Sequence, residues 1–320
     1  GTRYTTEGGY YDGDKIRFRQ GTPEKIGGWT QISSNTFLGV CRSLHNWITL
    51  GGQNLIGIGT HLKFYVENIG SYFDVTPLRA SVSLTNPFTT VSGSATVTVT
   101  DANGGYINGD YVTFSNATAV GGLTIDGEFV VSLGVTSAAG TFTITAASTA
   151  SSSATGGGTV TAAYQINVGN PFAVPITGWG AGSWSQGTWG VGESSIKAIR
   201  FWSQSNFGED LIFGHAGGAI YYWDATGNVS TRAVSLSSLS GASDVPVVVQ
   251  NLILVSDISR FVFCFGTNTI GSSSVDPTLI RWSDQGDPTN WTPSEVTQAG
   301  DLQLSRGTKI VAARQSRQEV

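Results

Sequence analysis

The 320-residue chain has no methionine and only two cysteines, Cys41 and Cys264. Two cysteines exclude a disulfide scaffold, which needs a dense, even set. Charge is also scarce: 12% of residues are Asp, Glu, Lys or Arg, against about 25% in an average soluble domain. Between Arg79 and Lys197 lie 117 residues without Lys, Arg or His. That stretch carries only Asp101, Asp110, Asp126, Glu128 and Glu193. It cannot neutralise phosphates, which takes cations, and it cannot host a histidine-based active site. The net charge of −5 gives no basic excess for simple electrostatic nucleic-acid binding. No window of 18 apolar residues exists, so no transmembrane helix is expected. Residues 1–20 are polar and charged and show no signal-peptide pattern. The missing methionine and the polar ending Arg317-Gln318-Glu319-Val320 read as a piece of a longer protein.

Glycine and aromatics are abundant. Glycine numbers 43, and Trp, Tyr and Phe number 9, 10 and 15. So many aromatic rings need a core, which argues against disorder. Gly, Ser, Thr and aromatics all disfavour helix interiors. The expected fold class is therefore all-β: propeller-like blades with an inserted small β-barrel or sandwich. Three regions are expected: 1–81, an N-terminal segment and first blade; 82–166, the inserted domain; and 167–320, a Trp/Gly-rich connection with further blades.

The inserted domain shows period-two alternation at Thr96–Thr100 and Thr141–Thr145, as half-buried strands do. Strands are also expected at Tyr111–Phe114, Gly127–Val131 and Val160–Ile166. Asn103-Gly104-Gly105 and Gly121-Gly122 supply turn chemistry. The Ser/Ala/Gly-rich run 147–158 reads as a flexible loop.

The flanks resemble one another. Leu55-Ile56-Gly57-Ile58-Gly59 leads to Leu62-Lys63-Phe64-Tyr65, and Leu211-Ile212-Phe213-Gly214-His215 leads to an aromatic run at Tyr221-Tyr222-Trp223. A third copy is expected from Leu252. Its 41-residue offset from Leu211 fits the roughly 40–50 residues of a four-stranded blade. Blades are expected at 38–80, 197–240, 245–295 and, incomplete, from 301.

Chemistry is sparse. No Gly-x-Ser-x-Gly elbow is present, no HExxH or His-x-x-x-His zinc pair, and no phosphate loop. His61 and His215 follow glycine-rich turns and read as turn-pinning residues. Cys41 and Cys264 read as small buried hydrophobes. Tyr11-Asp12-Gly13-Asp14 lacks the remainder of a calcium loop and reads as a turn. Asp284 and Asp287, within Arg281–Pro293, could be the paired acids of a glycosidase. Beside Gly286 and Pro288 they read better as turn caps. The expectation is no enzyme, no cofactor and no metal.

Two segments stand out as contact candidates. Trp179, Trp184 and Trp189 repeat at five-residue spacing among glycines, which suits neither helix nor strand. They read either as a blade connection packed down by its indoles or as a loop contacting a partner or glycan. Lys15, Arg17, Arg19 and Lys25 alternate with Ile16, Phe18 and Ile26, which suggests one buried and one cationic face. They are candidate assembly contacts; a solvated edge strand guarded by charge fits equally.

The run from Tyr10 through Arg19 to Gly21–Trp29, DGDKIRFRxGxPEKIGGW, resembles the N-terminus of tail nozzle proteins of short-tailed bacteriophages, the tail tubular protein B or packaged-DNA stabilisation family. RWSDQGDPTNWTP from Arg281 to Pro293, and Leu254–Arg260 followed by Phe265-Gly266, resemble their blades. Residues 82–163 resemble small β domains of phage structural proteins. The resemblance implies a homo-oligomeric ring, typically a hexamer, in the virion tail below portal and adaptor. It would be assembled in the host cytoplasm and conduct double-stranded DNA without reading its sequence. A receptor- or glycan-binding propeller, and a hub or tip protein of a longer tail, are the alternatives.

Overall fold

The computed structural model describes residues 13–28, 33–102, 105–133, 139–169 and 199–316. It divides into two compact units, Gly1–Thr36 and Phe37–Val320.

In the first unit, β1 (Ile16–Arg19) and β2 (Thr22–Lys25) form a two-residue hairpin. Gln20 and Gly21 both have positive φ, 52° and 81°. That is the type I′ geometry whose twist matches the flanking strands.

Among its described residues the second unit is built of β-strands, with one 3₁₀ turn at Leu236–Ser238. Its first sheet is an up-and-down meander of β3 (Cys41–Ile48), β4 (Asn54–Thr60), β5 (Phe64–Asn68) and β6 (Ser71–Asp74). Eight strands follow: β7 (Leu78–Thr85), β8 (Phe88–Thr90), β9 (Thr96–Thr100), β10 (Tyr111–Ser115), β11 (Gly127–Val130), β12 (Thr141–Thr145), β13 (Ala154–Gly156) and β14 (Thr159–Gln165). A second meander comprises β15 (Trp202–Phe207), β16 (Asp210–His215), β17 (Tyr221–Trp223) and β18 (Val234–Ser235). A third comprises β19 (Val249–Val255), β20 (Val262–Asn268), β21 (Val275–Trp282) and β22 (Gly300–Gln303). The all-β, blade-like class expected from composition is what forms.

The eight strands β7–β14 make two four-stranded sheets, in the orders β11-β10-β14-β7 and β12-β9-β8-β13. Alternate residues of both sheets point into one core: Val97, Val99 and Phe142 from one, Val112, Phe114, Val160 and Tyr164 from the other. This is a sandwich, not a closed barrel. The Ser/Ala/Gly run at 147–158 is not a loop throughout. Ala154–Gly156 pairs with β8, and Ala150 is buried in the core. Small residues suit this sheet edge because Thr90 Oγ1 and the Ser152 and Ala154 carbonyls must approach closely.

The first and last strands of the sandwich, β7 and β14, are antiparallel neighbours from Thr85↔Thr159 to Leu78↔Gln165. The chain therefore leaves the sandwich beside the point where it came in. Such adjacent ends let a domain sit in a connection without prying its flanks apart.

The three meanders pack face to face. Leu211 and Phe213 of β16 face the first meander, where Phe213 stacks on Phe64 at 3.9 Å. Ile212, between them, points the other way into a core with Ile253, Val255, Val262 and Trp291. The middle blade is thus covered on both faces, which is why its strand reads as a continuous apolar run instead of alternating. The glycines of these strands are not turn residues. A Cβ on Gly59 would lie 2.3 Å from Trp202, and one on Gly214 2.6 Å from Ile253. They allow neighbouring blades to touch.

Two expectations about blade phase are corrected. The Leu55 and Leu211 runs are second strands of their blades, whereas the Leu252 run is the first strand of its own. Counted between equivalent first strands, Trp202 to Val249, the offset is 47 residues. The strand at 301 does not open a further blade: Gly300–Gln303 pairs with β21 as the outer strand of the third. Apolar runs mark strands but not their order in a sheet, so the sequence repeat slipped by one strand.

Candidate functional site

The hairpin cations do not share one face. Residues paired across an antiparallel ladder project to the same side. Register places Lys25 opposite Ile16, Arg17 opposite Glu24, Phe18 opposite Pro23 and Arg19 opposite Thr22. Arg17 makes a two-nitrogen contact with Glu24, 3.1 Å from both Nε and Nη2 to Oε2. Lys15, with φ of 58°, lies just before the strand and 3.7 Å from Asp14. In the single chain Phe18 is 55% exposed and Ile26 47%. The hairpin displays mixed charge on one side and apolar rings with Lys25 on the other. Trp179, Trp184 and Trp189 lie outside the described residues.

The chemically suggestive acids are turn residues. Asp284 Oδ1 accepts from the Gln285 and Gln298 backbone N–H groups. Asp287 Oδ1 accepts from Thr289 N and Thr289 Oγ1. The histidines also pin structure. His61 Nδ1 accepts from Val40 N at 2.9 Å, and His45 Nε2 lies 2.6 Å from Asn206 Oδ1 across the first blade interface. His215 is buried edge-on against Trp202. Its burial, with Arg200 nearby, pushes its pKa down to about 4 against the bond to Ala216 O, so the ring is neutral. Of the cysteines, Cys264 is buried as expected, but Cys41 is exposed at the start of β3. It pairs with Thr60, and a bulge at Arg42 separates it from the next pair, Ser43 and Gly59. Among the described residues no group of three or more His, Cys, Asp and Glu is disposed to hold a metal.

The densest polar constellation is one that sequence reading did not single out. Lys63 is 2% exposed. Its Nζ lies 2.6 Å from Asp74 Oδ2 and 2.5 Å from Glu128 Oε2, and 4.9 Å from the Tyr111 ring centroid. Arg232 reaches Asp74 at 3.4 Å and donates to Thr76 O. Gln165 Nε2 donates to Glu128. Burial would raise the Asp74 carboxyl, but Lys63, Arg232 and the Thr76 hydroxyl outweigh it and hold the group below its ordinary value. The cluster joins four places: the first blade (Lys63, Asp74), the sandwich (Glu128, Tyr111), the strand leaving it (Gln165) and the loop before β18 (Arg232). A buried lysine is tolerated only with such partners. Its one visible signal was a lone charge in the apolar run Leu62–Tyr65. Its carboxylate partners lie 11 and 65 residues further along, and Arg232 lies 158 residues beyond Asp74, outside any spacing rule.

A second buried cation is Arg281, 1% exposed. Nη1 and Nη2 donate to the backbone carbonyls of Asn268 and Asp244. It lines a cavity of about 400 Å³ between the segment before β19 and the β20–β21 turn.

No family model matches the chain, and no curated protein matches it. Among solved structures, it is similar to "Phage phi92 endosialidase" at 15% identity over 90% of this chain, with a TM-score of 0.24. The chain spans 41% of that protein's length. A superposition this loose equates no residues and transfers no activity.

Proposed function

We propose that the chain is a structural protein of a bacteriophage tail, a subunit of the ring-shaped nozzle that continues the DNA conduit below portal and adaptor. It retains the packaged genome and lets it pass at ejection. The observation that carries this reading is the unlike apolar surface at the two ends of the blade stack. At one end β3 displays Leu44 and Ile48, 68% and 65% exposed. At the other, Phe263, Trp282 and Leu302 share the outward face of the third blade, with Phe263 stacked near Phe265 and Trp282. Unlike surfaces at opposite ends pair head to tail, the heterologous contact that closes a ring when the rotation permits. The charge-poor sandwich supports the same reading: its single cation, Arg79, is paired with Asp110 at 2.6 Å, and a wall so poor in free Lys and Arg does not hold a polyanion. The ordered sequence motifs at Tyr10–Trp29 and Arg281–Pro293 agree with it.

Native mass measurement and negative-stain imaging of the purified protein, or of the tails that contain it, test the proposal. A ring, expected to be a hexamer, that falls to single subunits in the Leu44→Asp/Ile48→Asp variant is the supporting result. A stable monomer at high concentration that is absent from tails refutes it.

A further inference from the structure

We propose that the cavity beside Arg281 is a binding site for a small oxyanion, a carboxylate or a phosphate. The guanidinium is withdrawn from water, yet no carboxylate lies within ion-pair distance of it among the described residues. Its two terminal nitrogens are spent on backbone carbonyls, and its Nε–H has no acceptor. Contrast Lys63, the other buried cation, which holds two carboxylates. A buried charge with neither a counterion nor a full set of hydrogen bonds is costly. It persists where something outside the chain supplies the missing charge and acceptor.

Asp244 and Asp301 act on the charge from a distance, but neither makes an ion pair with it. Across β21, Cys264 lies opposite Arg281, and burial pushes its thiol well up, so it is neutral. Asp301 pairs with Arg281 in register on β22 but lies exposed. Asp244 gives Arg281 its main-chain oxygen, while its carboxylate Oδ2 is engaged by Thr292 Oγ1 at 2.6 Å. Its backbone, at φ 49°, holds that carbonyl toward the guanidinium.

The wall opposite sets Val247 and Ile270 beside Asn268, Ser272 and Ser273. Asn268 spends both amide ends: Oδ1 accepts from Val247 N and Val248 N, and Nδ2 donates to the Thr269 and Ser272 carbonyls. That brings the β20–β21 turn, with Ser272 and Ser273, over the cavity facing Ser237 and Ser243. Ser243 already donates to Asn290 Oδ1; the Ser272 and Ser273 hydroxyls, with one buried cation whose Nε–H has no acceptor, are the complement of an oxyanion, and charge-assisted bonds of this type are the strong ones.

The test is calorimetric titration of the full chain with inorganic phosphate and, separately, with acetate, each against chloride at matched ionic strength. One saturable site for either anion is expected, with phosphate or acetate alone responding according to which chemistry the cavity takes. Two variants go with it. Arg281→Gln removes the charge and should abolish binding. Ser272→Asp keeps the fold, because an Asp side chain caps the Ser274 N–H as the serine now does. It places a carboxylate at the site and should weaken binding by about tenfold or more, roughly the 1.4 kcal/mol of one charge-assisted contact. No saturable heat from either anion overturns the proposal. So does binding unchanged in Ser272→Asp, which decides the question even if Arg281→Gln does not fold.

Discussion

The sandwich and the blades use the same strands to opposite ends. In the sandwich, two sheets close on each other, and one core of Phe88, Val99, Phe114, Phe142 and Tyr164 belongs to it alone. Its outer faces carry threonine and serine among other residues. The buried Tyr164 hydroxyl donates to the Asp101 carboxylate at 2.6 Å, within the sandwich itself. The blades own no core. Each four-stranded meander buries a face only against its neighbour, so Phe64 depends on Phe213 and Ile212 on Ile253. A two-layer domain is complete by itself. A stacked array is complete only where it is flanked, and its end faces keep apolar groups in water. That difference explains why Leu44, Ile48 and Leu302 stay exposed on the end faces of the blade stack.

The strongest way to break the contrast is a pair of core truncations. Phe213→Ala and Phe142→Ala each delete a fully buried ring, at about 3–5 kcal/mol. Phe213→Ala should lower the melting of the blades and leave the sandwich amides protected in hydrogen exchange. Phe142→Ala should do the reverse. Equal loss of protection everywhere would show that the two regions fold as one.

Lys63 is where the two regions are tied, so Lys63→Met should uncouple them. Removing the ammonium leaves Asp74 and Glu128 facing each other without their shared cation, a loss of about 3 kcal/mol, softened by Arg232. Two separate calorimetric transitions are expected in place of one broad one. Acid acts on the same tie. The Asp74 carboxyl is held below its unfolded value, so its contribution is present above that value and fades as pH falls through the folded one.

His215 sharpens the contrast from the blade side. Its folded pKa of about 4 lies below the ordinary 6.5. The unfolded chain therefore takes up the proton first. His215 stability is complete above about pH 6.5, declines between 6.5 and 4, and is constant below. The total is on the order of 3 kcal/mol. Unfolding free energy measured across that window should flatten in His215→Phe, with the sandwich amides unaffected in both proteins.

The smallest effect belongs to the hairpin. Arg17 and Glu24 are exposed, and such pairs contribute about 0–1 kcal/mol. Arg17→Ala should leave the melting temperature within about a degree. If the hairpin is an assembly contact, the change will appear in ring formation measured by native mass, and not in stability.

Residue chemistry alone determined the all-β class, the punctuation by glycine, the sandwich strands at Thr96–Thr100 and Thr141–Thr145, and the turn roles of Asp284 and Asp287. These are local properties: period-two alternation and side chains that bond their own backbone act within a few residues. Tertiary structure alone decided which strand of a blade each apolar run becomes, because Leu55, Leu211 and Leu252 carry the same local pattern and differ only in their neighbours. It decided that Gly59 and Gly214 are contact points between blades and not turns. It also decided the fate of the two buried cations. Lys63 and Arg281 look alike in sequence, each a single cation between apolar neighbours, Leu62 and Phe64 for the first, Ile280 and Trp282 for the second. Folding brings carboxylates from 11 and 65 residues away to the first, and only carbonyl oxygens to the second.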